Sequence, residues 1–497
     1  MHNKSLARIV LCISLLISML ISGVAFAADE PSDPGGEVGG RITNYTSSQA
    51  SVEVSFSCSF TRDSNSSDNY STDLLNGSSA EIAGSTFTTF CNDSNGYSIY
   101  AIGYSNNEFG NTSLIFNNTP NSTNNIATNG TYSNWQMKAT GITTNNLTPS
   151  IVNNFNSYRT IPDIYTRIAT LGGATDTSNS SPSGSSISVS YQATASSSQP
   201  AGAYTGQVKY TMVHPATATP AVSIGDLTFM QDFAKLSTAE KTSVLASMEP
   251  NQQYQLKDKR DPINNGADYK TYYVAKLADD KVWMTQNLDH DIRTTENFYT
   301  PENTDVPTTW TAPSDIVTWS TTTTAPRYYD PGDICWDGTS DSTTPVSCTQ
   351  ANNHYHLGNY YNWTAAIAMT SSSSYTSTAN IDQSICPAGW TLPRGGAATA
   401  TTNDFINLLS KSEYGWSSRT NTLGNNKTMW GEPLYFALGG NWNGSLILVG
   451  SNGRYWSRNL NFSVLAYYLV FDSVGSVRPG NTNNRNNGFP IRCVARP

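Results

Sequence analysis

Chemistry in this chain would have to come from a small set of side chains. Beyond an N-terminal apolar segment, the cysteines are Cys58, Cys91, Cys335, Cys348, Cys386 and Cys493. A reactive thiol needs a depressed pKa in an accessible, electropositive setting, whereas an even set of cysteines in an exported chain reads as disulfides. Chain neighbourhood favours Cys58 with Cys91, Cys335 with Cys348, and Cys386 with Cys493, although other pairings remain formally open. His354-Tyr355-His356 puts two imidazoles on one side of a strand, with Asp330, Asp333 and Asp337 upstream. Two histidines and a carboxylate could hold a transition metal. No third ligand stands at a telling spacing, and the acids do not follow the Asp-x-Asp-x-Asp-Gly order of a calcium loop. The expectation is a solvated loop with no metal and no other cofactor. Serine-hydrolase motifs, Gly-rich phosphate loops and paired glycosidase carboxylates do not stand out, so the chain is read as a non-enzyme.

The remaining chemistry is that of a surface. Asn441, Trp442, Asn443, Arg454, Tyr455, Arg458, Asn459 and Asn461 interleave aromatic rings with amides and guanidinium groups, and Trp456, Tyr467 and Tyr468 continue the mixture. Aromatic faces stack on sugar rings or peptide side chains, and amides hydrogen-bond hydroxyls. These eight residues are the candidate ligand-binding set, for a neutral glycan or a surface protein. Some of the aromatics must also fill the core, Trp456 in particular.

Composition limits the partners. Charged residues make up 13% of the 497 residues, about half the usual share. Lys4 and Arg8, an apolar run from Ile9 to Val24, and Ala25-Phe26-Ala27 follow the order of a secretory signal. Residues 1–27 are therefore read as a signal peptide, which implies a secreted or bacterial cell-surface protein that meets the membrane only through this segment if it stays uncleaved. Cleavage leaves 26 bases against 37 acids, a net charge of −11. Nucleic acid would call for a basic patch, and none is visible.

The elements that must position these residues fall into two textures. Alternation at Ser51–Cys58, Tyr97–Tyr104, Ile187–Tyr191 and Tyr204–Val213 predicts half-buried strands, and residues 41–214 read as an all-β, Ig-like sandwich. Residues 215–225 read as a Pro-containing linker. Residues 226–253 read as a helical segment, with Ser237-Thr238-Ala239-Glu240 as a capping box. From 254 to 497 the pattern is α+β. Hairpin strands at Lys270–Leu277 and Lys281–Met284 come first, then a long polar excursion carrying Trp310 and Trp319, then helices at Asn359–Met369 and Asn403–Lys411. Strands follow at Leu434–Leu438, Ser445–Val449, Tyr467–Phe471 and Phe489–Val494.

Several motifs of this second half recur together elsewhere. Val282-Trp283-Met284-Thr285-Gln286-Asn287-Leu288 and Gly358-Asn359-Tyr360-Tyr361-Asn362-Trp363-Thr364-Ala365-Ala366 are followed by Cys386-Pro387-Ala388-Gly389-Trp390-Thr391-Leu392-Pro393, Tyr455-Trp456-Ser457 and Gly488-Phe489-Pro490-Ile491-Arg492-Cys493. In this order they resemble the Fibrobacter succinogenes major paralogous domain family. The resemblance implies an exported bacterial surface protein with a C-type-lectin-like domain over 254–497, related in fold to formylglycine-generating enzymes. Sugar-binding lectins of that fold carry Glu-Pro-Asn and Trp-Asn-Asp, and Glu432-Pro433-Leu434 and Trp442-Asn443-Gly444 each depart from the pattern by one ligand-bearing residue. The leading expectation is an adhesin-like binder on a β-sandwich spacer. A structural envelope protein without a soluble ligand is the alternative, and an oxidase of formylglycine-generating type is a third reading.

Overall fold

The computed structural model describes residues 40–44, 50–54 and 58–62. From 77 to 497 it describes all but 92–94, 120–121, 143–147, 173–184, 215, 218, 264–267, 293–302, 305, 307–309, 311–324, 340–343, 370–382, 398, 418–426 and 463. The expected signal segment and Trp319 lie outside the described residues. No described helix is long and apolar enough to cross a membrane.

Period-two patterning in the first half produces two antiparallel sheets. One runs Val208–Val213, Tyr97–Gly103, Thr166–Leu171, Ser150–Ile151, and the other Cys58–Arg62, Ser79–Cys91, Ser185–Thr194, Asn134–Ile142, Arg159–Thr160. Their inward residues, among them Ile99, Ala101, Trp135, Met137, Ile187 and Val189, form one core. Three expectations need correction. Ala50–Val54 pairs with Gly40–Asn44 in a separate hairpin, and the next described strand begins at Cys58. Tyr204–Thr205 leaves the main sheet to pair with Ile115–Phe116. Tyr97–Gly103 is buried along its whole length, on both faces. Its outer face is covered because Ser98 Oγ donates to Ala216 O at 2.6 Å and Ile102 enters the core of the second half.

The linker is correspondingly packed and not free, with Val222 and Ile224 buried beside Phe109, Phe233 and Leu236. The capping box forms as expected. Ser237 Oγ accepts from Glu240 N, Ser237 N donates to Glu240 Oε2 at 2.7 Å, and the helix Thr238–Ser247 turns Val244 into the core. Lys235 Nζ donates to Phe109 O at 3.0 Å, which ties the helical segment to the sandwich.

The second half is built on a five-stranded sheet in the order Tyr254–Ile263, Asp268–Lys276, Val282–Met284, Val494–Ala495, Trp390–Thr391. A three-stranded sheet, Asn452–Phe462, Leu465–Asp472 and Val477–Asn484, lies beyond it. The expected helices are shorter than their apolar spacing suggests. Tyr360 belongs to the strand Tyr360–Tyr361, Asn362 caps a helix of only Trp363–Ala366, and Ala368 at φ 52° breaks the turn. Asn403 likewise caps Asp404–Leu409. The segment 434–438 is buried but irregular. Arg492, fully buried, donates to the carbonyls of Leu434 and Tyr435 and sends Nε to Asn287 Oδ1 at 3.0 Å, so side-chain donors replace a strand partner there. Cys58–Cys91, Cys335–Cys348 and Cys386–Cys493 are bridged, which fits an oxidising compartment.

Trp283, Trp363, Trp390 and Trp456 are fully buried, and each indole N–H finds an acceptor. For Trp283 the acceptor is the Asp279 carboxylate at 3.0 Å. Burial pushes that carboxyl up to about 6 from its ordinary 3.8, against the pull of Lys281. A raised carboxyl binds more protons folded than unfolded, so its contribution to stability falls as pH rises from about 4 to about 6. Asp279→Asn keeps an acceptor for Trp283 and removes the titration. Urea denaturation should show the variant gaining about 2 to 3 kcal/mol relative to wild type between pH 4 and pH 7. A difference that stays constant across that window contradicts this account of Asp279.

Candidate functional site

The candidate ligand-binding residues divide by burial. Tyr455 is fully buried and its hydroxyl donates to Ala437 O at 3.1 Å, so it is a core residue and is withdrawn from the ligand-binding set. Asn441 is buried as well and is withdrawn for the same reason. Arg458 and Asn459 are half-buried and hold the neighbouring loop. Arg458 N donates to Pro393 O at 2.9 Å, Arg458 Nη1 reaches Thr391 Oγ1 at 3.3 Å, and Asn459 Oδ1 accepts from Gly395 N at 2.8 Å. Asn461 Oδ1 accepts from the Tyr467 hydroxyl at 2.9 Å. Of the remaining three, Asn443 is exposed and Trp442 and Arg454 are half-buried.

Those three are brought together with residues the sequence did not single out. Trp442 lies on the short strand Asn441–Trp442, which pairs with Leu446–Ile447, and it exchanges both backbone hydrogen bonds with Gly488 at 2.9 and 2.8 Å. The chain enters this strand through Gly440 at φ +65°, where a Cβ would stand 2.0 Å from Ile447 O, so only glycine fits. The Trp442 ring stacks on Tyr329 with centroids 3.4 Å apart and planes 8° from parallel. Both rings are half-buried, and Asn443 beside them is exposed. Arg454 lies over the Phe489 ring, 5.7 Å from its centroid, next to the Gly488 that pairs with Trp442. On the adjoining turn, Asn487 Nδ2 donates to Asn483 Oδ1 at 2.8 Å. The result is a half-buried aromatic pair with the exposed amide of Asn443 beside it, while the Arg454 guanidinium lies over Phe489, one residue beyond the Gly488 that pairs with Trp442. Both rings pack against the core and keep a minor part of their surface open, where ring and amide can meet a hydroxyl or peptide group. Tyr329 stands far from Trp442 in sequence, and its Tyr328-Tyr329 pair was the only hint.

The histidine and aspartate residues resolve differently. His354 stacks on Tyr435 at 4.4 Å and lies 4.4 Å from Tyr273, and burial, helped by Arg492, lowers its pKa. His356 points elsewhere. Its Nδ1 accepts from Gly358 N at 3.0 Å, and its Nε2 stands 3.3 Å from Asp333 Oδ1 and 3.8 Å from Asp289 Oδ2. A backbone N–H on Nδ1 places the proton of the neutral ring on Nε2, facing the carboxylates as a donor. Cys348 falls within metal-ligand distance of Asp333 and His356, but its sulfur is committed to Cys335. Asp289 is engaged by Lys270 Nζ at 2.6 Å. The cluster is therefore a hydrogen-bonded ion network. Asp330 and Asp337 are occupied by the Gly332 and Thr339 backbone N–H groups of their own turns. Leu434, which stands where the lectin triplet would have a ligand, is fully buried. His290 Nδ1 lies 2.6 Å from Asp261 Oδ1 in an arrangement that resembles an acid–base dyad, yet the ring is entirely enclosed. It braces the loop after Leu288.

Comparison with family models, with curated proteins and with solved structures returns no match.

Proposed function

We propose that this is an exported, adhesin-like protein of the bacterial surface. Its C-terminal half is a C-type-lectin-like domain of the Fibrobacter succinogenes major paralogous type, and it binds a glycan or protein ligand. The observation that carries the reading is the Trp442–Tyr329 stack, two half-buried rings with the exposed Asn443 beside them. Stacking a sugar or peptide group on such a ring contributes on the order of 1 kcal/mol beyond area burial. The surrounding amides supply directional contacts. The disulfides and the acidic, weakly charged composition agree with a protein that works outside the cytoplasm.

The full mature chain should retain specific ligands on an array of glycans and surface proteins, with equal signal in calcium and in chelator. Trp442→Ala should lose them, and so should the exposed Asn443→Ala, which leaves the core untouched. An array without any retained ligand sinks the reading. A structural envelope role is favoured by one feature, Phe462 and Val464 standing 65% and 55% exposed at a hairpin tip. Concentration-dependent self-assembly in light scattering, with no array ligand, is the outcome that selects it.

A further inference from the structure

A second hollow lies at one end of the sandwich, away from Trp442. It measures about 180 Å³ and is lined by Asn106, Asn107, Ile115, Asn118, Thr205, Gly206 and Gln207. The lining carries no charge. Its polar groups are amides and one hydroxyl, and Ile115 supplies the apolar portion.

The amides are oriented before any ligand arrives. Asn106 Nδ2 donates to Glu108 Oε1 at 2.9 Å, which leaves Asn106 Oδ1 as an acceptor. Gln207 Oε1 accepts from Asn107 N at 3.3 Å, so the two N–H bonds of Gln207 Nε2 remain to be used. Asn118 Oδ1 accepts from Thr205 Oγ1 at 3.4 Å, which likewise leaves its Nδ2 as a donor. The side-chain amide of Asn107 has no hydrogen-bond partner among the described residues. Asn106, Asn107 and Asn118 all hold left-handed backbone, at φ 58°, 58° and 57°, a conformation that asparagine tolerates better than other non-glycine residues. The hollow exists because the chain at Gly206 presses onto the core, where a Cβ would meet Leu114 and Trp135 at 2.7 and 2.8 Å. Thr228 Oγ1 donates to Asn107 O at 3.4 Å and anchors the rim to the second half of the chain.

We propose that this hollow is a binding site for one neutral sugar ring, separate from the face at Trp442. Fixed amide donors beside a fixed amide acceptor match neighbouring hydroxyls, which both give and take hydrogen bonds. The lining carries no cation, and the Glu108 carboxylate that holds Asn106 stands behind the rim, so the local charge disfavours an anionic sugar.

The test is saturation-transfer NMR on the full mature chain with glucose, galactose, mannose, N-acetylglucosamine and N-acetylgalactosamine as separate probes, and sialic acid as the anionic arm. Transfer to at least one neutral sugar, none to sialic acid, persistence in Trp442→Ala and loss when Asn118→Ala/Gln207→Ala is added to Trp442→Ala is the expected pattern, the Trp442→Ala background removing any signal from the other face. Both substituted positions are exposed, so the double variant should keep the wild-type melting curve, and Thr205→Val, also at an exposed position, offers an independent variant that removes the hydroxyl holding Asn118. Absence of transfer from every neutral sugar overturns the proposal. Transfer that survives the hollow substitutions in the Trp442→Ala background overturns it too, and its loss in Trp442→Ala alone reassigns the sugar to the other face.

Discussion

Arg260→Ala should destabilise the protein by about 3 to 5 kcal/mol, more than any surface substitution. Asp258 and Arg260 are both fully buried, joined through Nη2–Oδ2 at 2.6 Å and Nε–Oδ1 at 2.9 Å. Gln231 Nε2 adds a hydrogen bond to Asp258 Oδ1 at 2.7 Å, and Arg260 Nη1 reaches the Ile385 carbonyl. Burial alone would raise the Asp258 carboxyl, but the guanidinium charge and its hydrogen bonds outweigh that and hold it below the ordinary range. A depressed carboxyl contributes stability that is present above its unfolded pKa and lost as pH falls through the folded one. Removing the guanidinium leaves a carboxylate in the core that must stay ionised at high cost or take up a proton. The deficit of Arg260→Ala in urea denaturation should therefore be largest near neutral pH and shrink on acidification. Replacing both partners with apolar residues, Asp258→Leu/Arg260→Met, should recover most of the loss. A single-variant cost under 1 kcal/mol would show that the pair is not the buried brace described.

Removing the Cys386–Cys493 bridge should cost at least as much. It closes a span of 107 residues, against 13 for Cys335–Cys348. In the loop-entropy model these correspond to about 4 to 5 and about 3 kcal/mol. Paired Cys→Ala variants should differ in that order, and the gap should widen somewhat because both Cys386 and Cys493 are fully buried, whereas only Cys335 of the short bridge is and Cys348 is half-buried. The long bridge joins the segment before Trp390 to the one before Val494, two neighbouring strands of the central sheet. Equal midpoints for the two variants in chemical denaturation would contradict the assignment of the long bridge as the main staple.

Which features were legible depends on how far apart the cooperating residues lie. The capping box Ser237/Glu240 is local, and it formed as read. Cysteine pairs could be read from neighbourhood in the chain, and the alternation at Ile187–Tyr191 marks a strand that lies at the middle of its sheet. The buried Asp258–Arg260 pair was hidden because a run of charges such as Lys257-Asp258-Lys259-Arg260-Asp261 reads as a solvated strand, while its period of two turns Leu256, Asp258 and Arg260 inward together. Tyr455 looked like a surface aromatic because its neighbours are polar. Its position beside Arg492, whose guanidinium lies 5.5 Å from the Tyr455 ring, is set by an irregular segment almost forty residues later in the chain. Trp442 could be named from composition, but its platform Tyr329 could not, because only the meeting of two short sheets stacks them.

The central claim is that ligand is held on the Trp442–Tyr329 face. Its most direct measurement is the dissociation constant of the strongest array ligand for the wild-type chain and for Trp442→Ala, with equal melting temperatures verified. The account predicts a weakening of roughly tenfold or more, the equivalent of about 1.4 kcal/mol. An unchanged dissociation constant would place the ligand elsewhere and contradict it.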